Sequence, residues 1–558
     1  MKKRYGSIIY IFFALLFAAN ARAQKKHVKQ FEKIIGEAVK KAYPASVRMW
    51  GFDVQQNQRT SAQFSGVVVS ADGYILTAAH TTIPGKNYKV FFPDGKECIA
   101  LALGRIDNPK TPGMPDVAMM KITDNGVWPF AEMGYSGTLQ PNEPCISISY
   151  PETLNQTLPT LRLGEVAEVK NKYGFIRSTC KMEPGDSGGP LFDYHGRVIG
   201  LHSAIDVAED QNFEIPVDLY RKYWTALQQE RTFTSFPDQP DSIATDPLAA
   251  VIQKENKQNN LHPDFKKAAN KSIRGVKLVS TLKGKMQEVQ GTLLTAKNNN
   301  GVTRQFVVTK LSLMGEEPKL VSNTGAEILI VSRDQPNDLA LLEVKHTTKG
   351  GIDIEDVTAD SALVQMGKMV YSAKADGQTL PSVLSSSLFG LAKQTSLPYL
   401  GAMVMFNSEP AQFSLIKPDG PASTAGIKVG DELVSINGKA ITKASEFAPE
   451  ILKLWPNDLI TMSWKNERGT VSKTFALAEQ HQPASNHPAE KFRGGKSARR
   501  DGFLHVFAHD GAIENSECGS PVFDFQGNFL GINIARFSRT CTLVTPAYLI
   551  SKMIKQAM

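Results

Sequence analysis

Residues 183–205 read EPGDSGGPLFDYHGRVIGLHSAI, and the fold turns on how that run is read. The apolar Pro190-Leu191-Phe192, the His195-Gly196 turn and the following Val198-Ile199 mark a β-hairpin fed by a glycine-rich loop. On that loop Gly185 and Gly188 let the backbone approach a bound chain, and the N–H groups of Gly185 and Ser187 can face a developing oxyanion. Working outward, ILTAAH (75–80) sets His80 at the end of a strand where the chain turns. DVAMMKI (116–122) opens a strand with Asp116. Amide cleavage by a serine needs a base, an orienter for that base, and oxyanion donors. Alone, His80 reads as a surface histidine, Asp116 as a strand-start residue and GDSGG as a turn. Together, in one β-rich region and each at a strand end, they point to nucleophilic hydrolysis.

A chain of 558 residues is too long for one core and predicts three or four domains. With 42% hydrophobic and 21% charged residues it has the composition of folded globular protein. Lys2, Lys3 and Arg4 precede an apolar run from Ser7 to Ala19, then Ala21-Arg22-Ala23 before Gln24. That pattern predicts a secretory signal over 1–23, too short for a membrane span, and an exported protein, periplasmic or extracellular. The formal charge of +8 falls to +4 without those residues, too mild and dispersed for a nucleic-acid partner. Five cysteines are too few for a disulfide scaffold. No His/Cys/Asp cluster has ligand spacing, so neither metal nor organic cofactor is expected.

Val28, Phe31, Ile35, Ala38 and Ala42 recur at helical steps, predicting an amphipathic helix over about 26–42 within an N-terminal segment, 24–44. Residues 45–222 are short apolar runs punctuated by D-G and H-G turns, an all-β domain. Residues 223–270 read as a helix and linker. Then the pattern restarts as a repeat. PDVAMMKI (115–122) returns as NDLALLEV (337–344), YGFIRS (173–178) as DGFLHV (501–506), and FDYHGRVIGLHSA (192–204) as FDFQGNFLGINIA (523–535). The second copy, 271–395 and 483–558, is interrupted by 396–482, an insert spliced into a loop.

SGVVVSADGYILTAAH, PDVAMMKI and EPGDSGGPLFDYHGRVIGLHSAI resemble the trypsin-like serine proteases, specifically the bacterial HtrA/Deg branch, over about 45–222. The resemblance implies a mainly β fold of chymotrypsin-like double β-barrels, with His80 as general base, Asp116 as orienter and Ser187 as nucleophile. It also implies that Ser203 lies on the strand that pairs with substrate. Asp186, where HtrA-type chains have Asn, needs a partner that the sequence does not name. Lys181 falls where this family builds its specificity pocket; a solvated loop lysine is the plain alternative. PYLGAMV (398–404) with PASTAGIKVGDELVSINGKAI (421–441) resembles a bacterial PDZ domain. In it Tyr399, Leu400, Gly401 and Ala402 would offer N–H groups to a peptide C-terminal carboxylate. The architecture expected is two tandem double barrels, the second interrupted by an α+β PDZ module.

In the second copy His80 corresponds to Ser312, Asp116 to Asp338 and Ser187 to Cys518. A thiol still wants an imidazole, and His505 and His509 stand where the family has no base, so this copy is read as a degenerate site. A Cys518–Cys541 disulfide is a further expectation. The implied function is an exported serine endopeptidase acting on proteins or peptides. The rival is a latent or non-catalytic peptide-binding scaffold or chaperone. The resemblance also implies a homo-oligomer.

Overall fold

The computed structural model describes residues 24–107, 116–154, 157–258, 263–269, 275–298, 300–322, 326–345, 350–354, 365–480 and 485–558. The expected signal segment, 1–23, lies outside them. They form two compact units, one of residues up to 389 with 486–497 and 505–558, the other of 390–485 with 498–504.

In the first unit the opening helix runs over 24–42 and buries Val28, Phe31, Ile35, Ala38 and Ala42, the face its periodicity predicts. Ser46–Asp53, Phe64–Val68, Tyr74–Ala78, Val117–Ile122, Glu97–Ile106 and Asn87–Phe91 then pair in that order around a closed ring. Glu97–Ile106 alternates strictly between inward and outward residues, the period of a strand with one face on a core. Inside lie Val47, Met49, Phe64, Val90 and Met120, each contributing about 1.5–3 kcal/mol by burial. A second closed barrel follows, ordered Pro144–Ser149, Thr160–Glu168, Ile176–Ser178, Asn212–Pro216, Val198–Ile205, Pro190–Asp193.

The repeat in sequence is a repeat in topology. Val276–Leu282, Lys285–Lys297, Thr303–Lys310, Leu339–Val344, Ile328–Asp334 and Glu316–Leu320 follow the first ring's order. Among the described residues no ladder joins the last two, so this ring has a seam. Met369–Ala373, Thr379–Val383, Phe503–His509, Thr542–Pro546, Phe529–Arg536 and Pro521–Asp524 follow the second ring's order. A single bridge, Leu384 to His509, closes that one.

One expectation needs correction, and one segment gains detail. The described part of 223–270, expected as a helix and linker, packs on the first copy. Thr232–Phe233 adds in parallel to Glu97–Ile106, and buried Asp246 pairs with Arg197 at 2.8 Å. The Cys518–Cys541 bridge is not formed: all five cysteines are buried free thiols. The sulfurs that do approach each other are those of Cys145 and Cys180, 3.9 Å apart.

The second unit carries a four-stranded sheet ordered Lys439–Ala440, Glu432–Ile436, Leu459–Asn466, Gly469–Ala476, with helices Pro421–Ala425 and Ala444–Leu452. Its core gathers Phe413, Leu433, Ile436, Ile460, Met462 and Trp464. Gly401 turns at φ +74° with room for only another glycine, Gly420, beside it. The N–H groups of Leu400 and Gly401 have no acceptor among the described residues, and Ala402–Val404 pairs with Phe413–Ile416.

Candidate active site

Strand pairing brings His80 and Asp116 together. Tyr74–Ala78 and Val117–Ile122 lie antiparallel with Ala78 opposite Val117, so the residues just beyond that end of the pair are neighbours. After Ala78 the chain enters the 3-10 turn Ala79–Thr81, whose Ala79 N–H donates to the Asp116 carbonyl at 3.0 Å. Arg105 fastens the turn from outside by donating to the carbonyls of Ala79 and Thr82. The Asp116 carboxylate accepts from the His80 backbone N–H at 2.8 Å, from Nδ1 at 2.6 Å, and from Ser203 Oγ at 2.7 Å. With Nδ1–H so committed, Nε2 is left as a lone-pair acceptor. Burial of the imidazole works to lower its pKa. The Asp116 hydrogen bond and charge, with Asp107 behind them, outweigh that and raise it.

The loop that carries Ser187 is shaped by glycine and by one buried ion pair. Gly185 sits at φ +95°, and a Cβ there would lie 2.4 Å from Glu152 N; at Gly188, φ +76°, it would lie 2.0 Å from Thr77 Oγ1. Between them Asp186 turns inward, away from Ser187. Arg162 meets it in a fork, Nη1 to Oδ2 at 2.6 Å and Nη2 to Oδ1 at 2.9 Å. Ser149 Oγ and the Glu183 N–H complete its shell. Both side chains are essentially sealed from solvent, at 2% and 1% exposure. Arg162 is thus the partner that the sequence left unnamed. It lies 24 residues upstream on another strand, where only its position between Leu161 and Leu163 hinted at burial.

Ser187, Gly185, His80 and Ser203 line one cavity of about 600 Å³, with His202, Ala204 and His487 also on its walls. Among the described residues the N–H groups of Gly185 and Ser187 have no acceptor. Ser187 Oγ makes no hydrogen bond to His80 among them; such contacts often tighten only when substrate is bound. His202 is wholly buried, its Nε2 2.6 Å from Ser147 Oγ. Lys181 does not line this cavity. Its ammonium pairs with Glu209.

The second copy reproduces the frame and closes the site. Ser312 N–H donates to Asp338 Oδ1 at 2.7 Å and Leu311 N–H to the Asp338 carbonyl, the pattern seen at His80 and Asp116. Buried Lys310 then drives its ammonium onto Asp338 Oδ2 at 2.5 Å and the Ile534 carbonyl at 2.8 Å. Ser312 Oγ takes the same carboxylate oxygen at 2.9 Å. Cys518 is wholly buried, and burial pushes its thiol pKa up, against the nearby Lys310 charge. His509 is locked between Asn533 Oδ1 and the Gly511 N–H, and burial brings it down to about 4.

The chain carries a trypsin-like peptidase domain and a PDZ domain, and relatives similar to it over most of its length are described as serine endoproteases. The family model for a trypsin-like peptidase domain matches residues 64–201, and that for a PDZ domain matches residues 412–452. The chain is 26% identical to a "Probable periplasmic serine endoprotease DegP-like" of Hahella chejuensis, over 71% of its own length and 76% of the relative's. It is 25% identical to a protein of the same description from Pseudomonas savastanoi pv. phaseolicola, over 83% and 88%. To the "Putative serine protease HhoB" of a Synechocystis strain it is 32% identical, over 30% of this chain and 42% of that one. No helix among the described residues is long and apolar enough to cross a membrane.

Proposed function

We propose that this chain cleaves protein or peptide substrates in an exported compartment, with Ser187 as nucleophile, His80 as base and Asp116 as orienter. The observation that carries the reading is the Asp116 carboxylate, which fixes both the backbone and the ring of His80 beside the cavity that Ser187 lines. His80 Nε2 takes the Ser187 proton as Oγ attacks the substrate carbonyl carbon. The resulting oxyanion is met by the N–H groups of Gly185 and Ser187, worth about 3–4 kcal/mol per donor in comparable sites. His80 then returns the proton to the leaving amine, and water releases the acyl group by the same steps in reverse.

The second double barrel takes no part in the chemistry: its carboxylate is neutralised by Lys310, and among the described residues no histidine hydrogen-bonds Cys518. The PDZ module binds peptide C-termini at Leu400 and Gly401, where N–H groups converge beside the strand Ala402–Val404. The names of the relatives support a periplasmic location, and unfolded envelope proteins are the substrates this combination suits. Hydrolysis of a fluorogenic peptide or casein tests the reading. Turnover by the mature protein that vanishes in Ser187→Ala supports it, and equal background turnover in both overturns it in favour of a binding scaffold.

A further inference from the structure

The loop on which the proposed chemistry depends does not stand alone. Glu183, three residues before Asp186, is buried, and its Oε1 accepts two hydroxyl hydrogen bonds, one from Ser538 Oγ at 2.8 Å and one from Thr540 Oγ1. Those residues belong to the second copy, at the tip of the hairpin between Phe529–Arg536 and Thr542–Pro546. Between them Arg539 reaches the Glu209 carbonyl at 3.0 Å and Asn212 Oδ1 at 3.3 Å. That Asn212 oxygen also accepts from the Met182 N–H. The strand holding Arg162 is gripped as well. Leu161 N–H donates to the Ser385 carbonyl, and Leu163 N–H to Asp510 Oδ2 at 3.0 Å.

The molecule contains its own comparison. Glu514-Asn515-Ser516-Glu517-Cys518 is the same loop in the second copy. There Asn515–Glu517 winds into a 3-10 turn, and the Cys518 N–H is spent on the Asn515 carbonyl at 3.2 Å. Glu514, in the place of Glu183, is half-exposed and pairs with Arg493. Glu517, in the place of Asp186, pairs with Lys374 at 2.6 Å instead of a buried arginine. So the loop whose anchoring glutamate is held by the hairpin hydroxyls leaves the equivalent N–H free, and the loop whose glutamate pairs with Arg493 does not.

We infer that the second double barrel is a built-in activator of the first, with Ser538 and Thr540 as positioning residues that hold the Ser187 loop open through Glu183. The inference rests on the peptidase reading above. Burial pushes the Glu183 carboxyl up, with Asp186 adding to it, and the two hydroxyls and Arg162 work against that cost. Loss of the hydroxyls leaves a buried carboxylate short of donors beside Asp186, and the segment relaxes toward the turn seen at 515–517. The Ser187 N–H is then lost to the oxyanion, which lowers kcat while ground-state binding, and so KM, is kept.

The test is steady-state hydrolysis of a short fluorogenic peptide by the full mature chain carrying Ser538→Ala with Thr540→Val, alongside each single change and the conservative pair Ser538→Thr with Thr540→Ser. The expected result is a fall in kcat of about tenfold to a hundredfold in the double variant, within the range for loss of one oxyanion donor. KM stays within about twofold, each single change falls between, and the conservative pair keeps most of kcat. If the double variant fails to fold, the single changes carry the same kcat-against-KM comparison. A double or single variant with wild-type kcat overturns the inference and leaves the peptidase reading standing. A wild type no faster than Ser187→Ala overturns both.

Discussion

His80 holds its ring nitrogen 2.6 Å from Asp116 while half its side chain faces solvent, and its titration reports on that contact. The contact raises the imidazole pKa above its ordinary 6.5. A base must be neutral to accept a proton, so activity is lost as pH falls through the raised value. The acid limb of kcat/KM is therefore expected above pH 6.5, and Asp116→Asn should move it lower while cutting the rate by about a thousandfold or more. A pH–rate profile of both proteins checks this; an unmoved limb would separate His80 from the chemistry. The closeness of His80 and Asp116 was legible in the sequence because each stands just beyond a strand end, where pairing of neighbouring runs fixes position. Arg162 was not. Nothing local distinguishes a strand arginine that turns inward from one that faces water, and its partner is set by barrel closure rather than by spacing. Lys181 shows a second limit: its ion pair with Glu209, in the turn before Asn212–Pro216, is likewise set by the fold rather than by spacing.

At the scale of elements, Thr160–Glu168 works as a clamp on the loop 183–187, through the fork from Arg162 to Asp186. Removing one partner of a sealed ion pair leaves the other charged and unsolvated, at a cost of about 3–5 kcal/mol. Arg162→Met is expected to lower the thermal midpoint accordingly and to abolish peptide turnover. Arg162→Lys should recover little of either, because an ammonium cannot make the fork. Calorimetry and a peptide assay on the same samples check it, and a Met variant as stable and active as wild type would remove the clamp from the account. The repeat itself was legible as three matched segments in one order, since the strands keep their apolar pattern whatever the site does. The loop at 516–521 keeps Gly519 for packing: at φ +94° its Cβ would lie 2.0 Å from the Gln290 carbonyl. That packing demand accounts for the protease-like turn kept around Cys518.

Across the whole molecule, two double barrels share one topology and differ in what they place at the matching positions. The first sets an imidazole, a hydroxyl and the N–H groups of Gly185 and Ser187 on one cavity, with the Asp116 carboxylate hydrogen-bonded to the imidazole. The second keeps the carboxylate, fills the site with Lys310, and sends a hairpin onto the first copy's loop. Sequence could show that the base was gone at Ser312. It could not show what the copy had gained, because Ser538, Arg539 and Thr540 are ordinary hairpin residues until the fold brings them to Glu183 and Asn212. The most direct measurement is the reaction of the mature protein with a fluorophosphonate probe, followed by peptide mapping of the labelled residue, since it reads nucleophile activation without needing the right substrate. A single label on Ser187, absent from Ser187→Ala, is the expected result. No label on the wild type, or a label that persists in Ser187→Ala, would contradict it.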